Sequence, residues 1–119
     1  MRGNGGMLST ARDMYRWHRV LEADTILSRR AKAELFTPRV LIDRKAKVHY
    51  GYGWGVLPRT EHGRVAEHDA GNDWSIGEFA RFPDKRVMVF WITNQAYRAG
   101  KWNLEDINSK LTLGLVRAL

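Results

Sequence analysis

The 119-residue chain contains no cysteine, which excludes a disulfide framework and any cysteine-ligated metal site. It has no apolar run near the roughly 20 residues of a membrane-spanning helix. Its opening stretch, MRGNGGMLSTARDM, has no apolar segment of signal-peptide length. The histidines His18, His49, His62 and His68 form neither an H-x-x-x-H nor an H-E-x-x-H pattern, so no metal site and no cofactor are expected. The phosphate-loop pattern G-x-x-x-x-G-K-[ST] and the nucleophile elbow G-x-S-x-G are both missing. There is no internal repeat and no low-complexity tract.

What is present describes a folded protein. Hydrophobic residues make up 44% of the chain and five are Trp, which excludes a disordered segment. One domain over residues 1–119 is the expectation. The 20 basic and 13 acidic residues give a net charge of +7, and seven of the cations lie between Arg29 and Lys47. Glu34 and Asp43 interrupt that run, and no nucleic-acid-binding motif accompanies it. The cations are read as a solvated basic face rather than a nucleic-acid site.

Along the chain, Ser9-Thr10 with Asp13 predicts a helix N-terminus closed by a capping box. Met14, Trp17, Val20 and Leu21 follow at helical spacing, with His18 at the surface or boundary. A second helix is predicted over Ser28–Phe36, stopped by Thr37-Pro38. Residues 39–49 read as a loop or irregular strand. Tyr50–Val56 alternates aromatic residues with glycine and reads as one strand, with Pro58–Gly63 as a hairpin loop. Near the end, Asn103 caps a final helix whose stripe is Leu104, Ile107, Leu111, Leu115 and Leu119. The class expected is α+β: an antiparallel sheet of three to four strands, two N-terminal helices and a C-terminal helix.

The chemistry concentrates between Arg64 and Asn94. His68-Asp69-Ala70-Gly71-Asn72-Asp73 ends one strand, Trp74–Phe82 alternates apolar and polar residues, and Val87–Ile92 is apolar without a break, as in a strand covered on both faces. Glu67, Asp69, Asp73 and Glu78 lie near one turn, where a carboxylate pair is conceivable, but spacing does not select among them. His68 has two readings that periodicity does not separate. It either hydrogen-bonds a neighbouring loop or stands beside main-chain N–H groups, left accessible by small residues, that bind a carbonyl oxygen.

The run GNGGMLSTARDMYRWHRVL resembles the segment that follows the second active-site motif in serine β-lactamase-like hydrolases, a superfamily that includes class C β-lactamases and penicillin-binding proteins. FTP followed by YGYGWGV is similar to the helix end and Y-G-x-G-W strand of that family. EHDAGNDW resembles an H-x-G-G form of its third motif, and VMVFWITN its apolar strand ending in T-N. The resemblance implies roles. His68 takes the place of the motif's opening lysine or histidine, and Gly71 offers its N–H as an oxyanion donor. Asp69, Ala70 and Asn72 border the substrate, with Ala70 standing where glycine is usual.

The family's acyl-serine reaction also needs S-x-x-K and a Y-x-N or S-x-N motif. No serine here is followed three residues later by lysine, and no tyrosine opens a Y-x-N. The resemblance therefore implies the C-terminal part of a hydrolase of β-lactams, peptides or esters, inactive by itself. A non-catalytic binding module using the basic face is the alternative. It also implies that Val87–Ile92 is an unpaired sheet edge, open to homodimer formation or strand exchange.

Overall fold

The computed structural model describes residues 6–72, 75–94 and 107–119. Two helices, α1 (Ala11–Glu22) and α2 (Arg29–Leu35), precede six strands: β1 (Val40–Asp43), β2 (Val48–Tyr50), β3 (Gly55–Thr60), β4 (Gly63–Gly71), β5 (Ile76–Phe82) and β6 (Val87–Thr93). A C-terminal helical segment starts with a π-helical turn, Asn108–Thr112, and continues as α3, Leu113–Arg117. Every strand pairs antiparallel with its sequence neighbour, so the sheet is a six-stranded meander in the order β1-β2-β3-β4-β5-β6. The class is α+β, as the sequence implies, with more strands than the three to four it suggests.

The extra strands come from residues 39–50, where β1 and β2 form a hairpin: Val40 lies opposite Tyr50 and Leu41 opposite His49. The weak patterning of this stretch has a plain cause, since all of β1 is exposed and carries no one-sided burial signal. Tyr50–Val56 is not one strand. Gly51 N–H donates to Trp54 O at 2.8 Å and Gly53 has φ of 75°, a left-handed conformation open to glycine at no steric cost. The chain therefore turns between β2 and β3. Trp54 enters the core while Tyr52 stays outside. Pro58 lies in β3 rather than in a loop. The β3–β4 register shifts between Leu57 and Thr60, and such an irregularity tolerates a residue with no N–H to give the ladder.

The sheet buries both faces. On one, α1 and α2 cover a cluster of Leu21, Trp54, Val56, Ala66 and Phe79, with Met14 and Phe36 packed against it. On the other, Val65, Ala80, Phe82 and Val89 pack with Val116 of α3. Thr10 caps α1 by accepting from Asp13 N–H at 3.1 Å, and Ser28 caps α2 by accepting from Ala31 N–H at 3.2 Å. Lys32 ties the helices together, donating to Ala23 O at 2.9 Å and pairing with Asp24 at 2.6 Å.

Three expectations are corrected. His18 is buried rather than at the surface. Arg81 Nε donates to its Nδ1 at 3.2 Å, so this helix position serves a polar contact beneath the sheet. Trp74–Phe82 reads as alternating apolar and polar, yet the polar residues Glu78 and Arg81 fall on opposite faces of β5, paired with Asp69 and Ala66. Both are buried and hydrogen-bonded, and β5 is covered on both faces. At the C-terminus, Leu111, Leu115 and Leu119 are exposed while Thr112 and Val116 are buried. The π-turn at Asn108–Thr112 explains the rotation: a turn with i→i+5 bonds advances fewer degrees per residue and shifts the buried stripe off its α-helical phase. The predicted cap Asn103, Leu104, Asp73 and Trp74 lie outside the described residues.

Candidate active-site edge

Strand β4 outruns its neighbour. Its pairing with β3 ends at Gly55 opposite Glu67, whereas its pairing with β5 continues through His68–Phe79, Asp69–Glu78, Ala70–Gly77 and Gly71–Ile76. Beyond Glu67, the β3-side edge of His68–Gly71 meets no strand among the described residues. The cause is local: the turn at Gly51–Trp54 carries β2 and β3 away before they reach it.

The phase of the ladder decides what that edge presents. Asn72 N–H donates to Ser75 O at 2.8 Å, which makes Asn72 and Ser75 a hydrogen-bonded pair in the same register. In an antiparallel ladder such pairs alternate with non-bonded ones. Ala70 and His68 therefore aim their main-chain groups at β5, and Gly71 and Asp69 aim theirs at the open edge. Asn72 also fixes the turn through its side chain, whose Oδ1 accepts from Ser75 N–H at 2.8 Å.

Side chains alternate too. His68 and Ala70 stand on the α1–α2 face, in line with buried Ala66, while Asp69 and Gly71 stand on the α3 face, in line with buried Val65. His68 and Asp69, neighbours in sequence, thus occupy opposite faces. His68, Asp69, Ala70, Gly71 and Asn72 are all exposed. A Cβ added to Gly71 would meet Ile76 Cγ2 at 3.2 Å, a close but yielding contact.

On the α3 face, carboxylates gather. Glu67 lines a cavity of about 190 Å³ with Glu78, Leu57, His62 and Leu113. Burial, then the charges of Glu78 and Asp69, raise the Glu67 pKa to about 7. Burial raises Glu78 as well, opposed by its hydrogen bonds from Thr112 and Trp91. Trp91 Nε1 donates to Glu78 at 3.0 Å, and Thr112 Oγ1 donates to the same carboxylate. Glu78 therefore anchors the helical segment to the sheet. Of the acidic residues the sequence brings near this turn, the structure joins Glu67, Asp69 and Glu78 on one face. No group of three or more metal-ligating side chains converges among the described residues.

A second buried network, His18–Arg81–Glu22, escaped sequence reasoning. Arg81 bonds His18 Nδ1 and forms an ion pair with Glu22. The one signal for it, the helical i,i+4 spacing of His18 and Glu22, does not name a partner on a distant strand.

The family model for Beta-lactamase matches residues 1–113, nearly the whole chain. The chain belongs to the Beta-lactamase family. Penicillin-binding protein 4* of Bacillus subtilis (strain 168) is 26% identical over 95 residues, which is 80% of this chain and 21% of that protein. The chain thus spans about a fifth of the length of that curated relative. No solved structure matches. Membership of the Beta-lactamase family agrees with the serine hydrolase resemblance of the sequence and with the α+β sheet.

Proposed function

We propose that this chain supplies one wall of an acyl-serine hydrolase site, and that the open β4 edge is that wall. The observation that carries the reading is the overhang of His68–Gly71 beyond β3, phased so that Gly71 N–H faces the unpaired side. An acyl substrate lies along this edge with its carbonyl oxygen toward Gly71 N–H. As a serine oxygen adds to the acyl carbon, the π electrons of the carbonyl move onto oxygen, and the N–H stabilises the developing charge. The His68 side chain, on the α1–α2 face, orients the substrate and supports proton movement around the nucleophile. Ala70 and Asn72 border the substrate, and Asp69 takes part through its main chain, which shares the edge with Gly71.

The nucleophile is not among these 119 residues in the family's S-x-x-K form. One oxyanion donor contributes roughly 10²–10³-fold to turnover in a complete site; without a nucleophile there is no covalent step to accelerate. The chain alone is therefore expected to form no acyl adduct. Incubation with a reactive β-lactam probe followed by intact-mass spectrometry tests this, and a covalent adduct would overturn it. β-Lactams, peptides and esters all remain within the acyl substrate class.

The sheet order also supports an interaction proposal. Among the described residues β6 has a strand on one side only, and its Ile92 is 68% exposed. We propose that Val87–Ile92 pairs with a second copy by strand addition, and sedimentation equilibrium reads the resulting dimer.

A further inference from the structure

At the opposite end of the sheet from β6 lies the β1–β2 hairpin, which the catalytic reading does not use. Its outer strand holds three consecutive aliphatic residues, Val40, Leu41 and Ile42, exposed by 62%, 46% and 58%. Successive side chains of a strand point to opposite faces. Val40 and Leu41, which pair in regular register with Tyr50 and His49, therefore protrude on opposite sides of the hairpin, and Ile42 follows at the irregularity where the register shifts, all three exposed. A protein surface docking on one face of β1 would cover Val40 or Leu41 and leave the other. Only surroundings that are apolar on both sides of the strand at once would cover all three.

The charge on the same hairpin narrows the choice. Its turn carries Arg44, Lys45 and Lys47, all exposed. The one acid there, Asp43, is held within the turn, where its Oδ1 accepts from Lys45 N–H at 2.7 Å and Ala46 N–H at 2.9 Å. At the base of the hairpin two exposed phenols, Tyr50 and Tyr52, flank the aliphatic strand. Aliphatic side chains beside tyrosines and unneutralised cations match the layered chemistry of a bilayer interface: acyl chains, then the polar boundary, then anionic headgroups. A nucleic acid would satisfy the cations but leave the aliphatic residues in water.

We propose that the β1–β2 hairpin docks the protein edge-on to the surface of an anionic phospholipid bilayer. Val40, Leu41 and Ile42 enter the boundary between headgroups and acyl chains, and Arg44, Lys45 and Lys47 contact the headgroup phosphates. Insertion stops at that depth, because β1 ends the sheet among the described residues, and its outer edge carries main-chain groups that need hydrogen-bond partners the acyl region cannot supply. This proposal is independent of the acyl-hydrolase reading.

Cosedimentation of the chain with phosphatidylcholine vesicles, with and without 30% phosphatidylserine, tests it. The expected result is binding about tenfold or more tighter to the anionic vesicles, falling as salt rises from about 50 to 300 mM. Leu41→Ser with Ile42→Ser, and separately Arg44→Glu with Lys45→Glu, each lower binding about tenfold or more. Arg30→Glu with Lys85→Glu changes net charge equally at exposed sites elsewhere and lowers binding less than about threefold. Because the chain has no cysteine, Leu41→Cys takes a single environment-sensitive fluorophore. Its emission shifts blue on anionic vesicles, a readout that needs no loss-of-function variant. No binding to anionic vesicles, equal losses from the two charge-reversal pairs, or unaltered binding of the Leu41/Ile42 variant would each overturn the proposal. So would a hairpin-dependent dimer that ignores vesicles.

Discussion

Arg81 of β5 donates from Nε to Nδ1 of His18 on α1 at 3.2 Å, across 63 residues of sequence, and its other arm pairs with Glu22. Accepting that bond requires His18 to be neutral at Nδ1. Burial, and then the Arg81 charge beside it, push the His18 pKa below its ordinary 6.5. Arg81→Ala leaves a buried histidine nitrogen without its donor and a void beneath Phe36, over whose ring the guanidinium lies at 5.1 Å. The expected cost is about 3 kcal/mol of unfolding free energy, read by urea denaturation. Arg81→Met, which keeps most of the volume, is expected to cost less, because Glu22 reaches solvent and does not become a stranded charge.

The same histidine sets one limb of the pH dependence. A base whose folded pKa is depressed binds fewer protons folded than unfolded. Its stabilising contribution is therefore present above pH 6.5 and lost as pH falls from there through the folded value. In His18→Gln this acid-side limb is expected to flatten, measured as the urea midpoint between pH 7 and pH 5.

Glu67 tilts the other way. Its folded pKa is raised from 4.5 to about 7, so the folded state holds the proton more tightly. The stability this confers is complete below pH 4.5 and lost as pH rises through about 7. A shift of that size corresponds to roughly 3 kcal/mol at most. Glu67→Gln keeps the shape without ionising, and is expected to be more stable than the parent at pH 8 and little different at pH 4.5. A Glu67→Gln stability profile parallel to the parent's across this range would sink the assignment.

The C-terminal helical segment offers a test of phase. Val116 is fully buried against Val65, Ala80, Phe82 and Val89, while Leu115 is half exposed. Val116→Ala is expected to cost about 2 kcal/mol, from lost burial and the cavity left behind. Leu115→Ala, although it removes more atoms, is expected to cost under about 0.5 kcal/mol, as surface substitutions do. Thermal denaturation of the two variants checks it. The α-helical stripe read from spacing alone predicts the reverse order.

That reversal shows where the sequence was legible. Thr10 with Asp13 and Ser28 before Arg29 announced both helix starts, because a cap is a local hydrogen bond between near neighbours. The unbroken apolar run of β6 announced a strand covered on both faces; its side chains do pack on both faces from Val87 to Trp91, whereas Ile92 is exposed. What stayed hidden depends on partners far away in sequence. Glu78 and Arg81 look like solvent-facing polar residues until Trp91, Thr112, His18 and Glu22 are brought to them. The β1–β2 hairpin stayed hidden because its outer strand β1 is exposed along its whole length, and a strand with no buried face has no alternation to read. At the candidate site, the small residues after His68 were visible. The overhang of β4 beyond β3, which turns Gly71 N–H to an open edge, depends on the turn at Gly51–Trp54 and on the ladder register.

The open β6 edge leads to the last prediction. Its side chains are packed on both faces as far as Trp91, so pairing with a second copy would proceed through the main-chain edge while Ile92, 68% exposed, adds apolar contact. A charge at that position leaves the β5–β6 ladder intact, where Ile92 faces Gly77, yet places like charges together in a copy-to-copy pairing. Such inward or edge charges are the usual device that blocks strand addition. Ile92→Lys is therefore expected to keep the thermal midpoint within a few degrees and to shift sedimentation equilibrium toward monomer by about tenfold or more in dissociation constant, the two repelled lysines and the lost apolar contact acting together. A parent that stays monomeric up to millimolar concentration, or a variant that dimerises as the parent does, would show that β6 does not pair with a second copy.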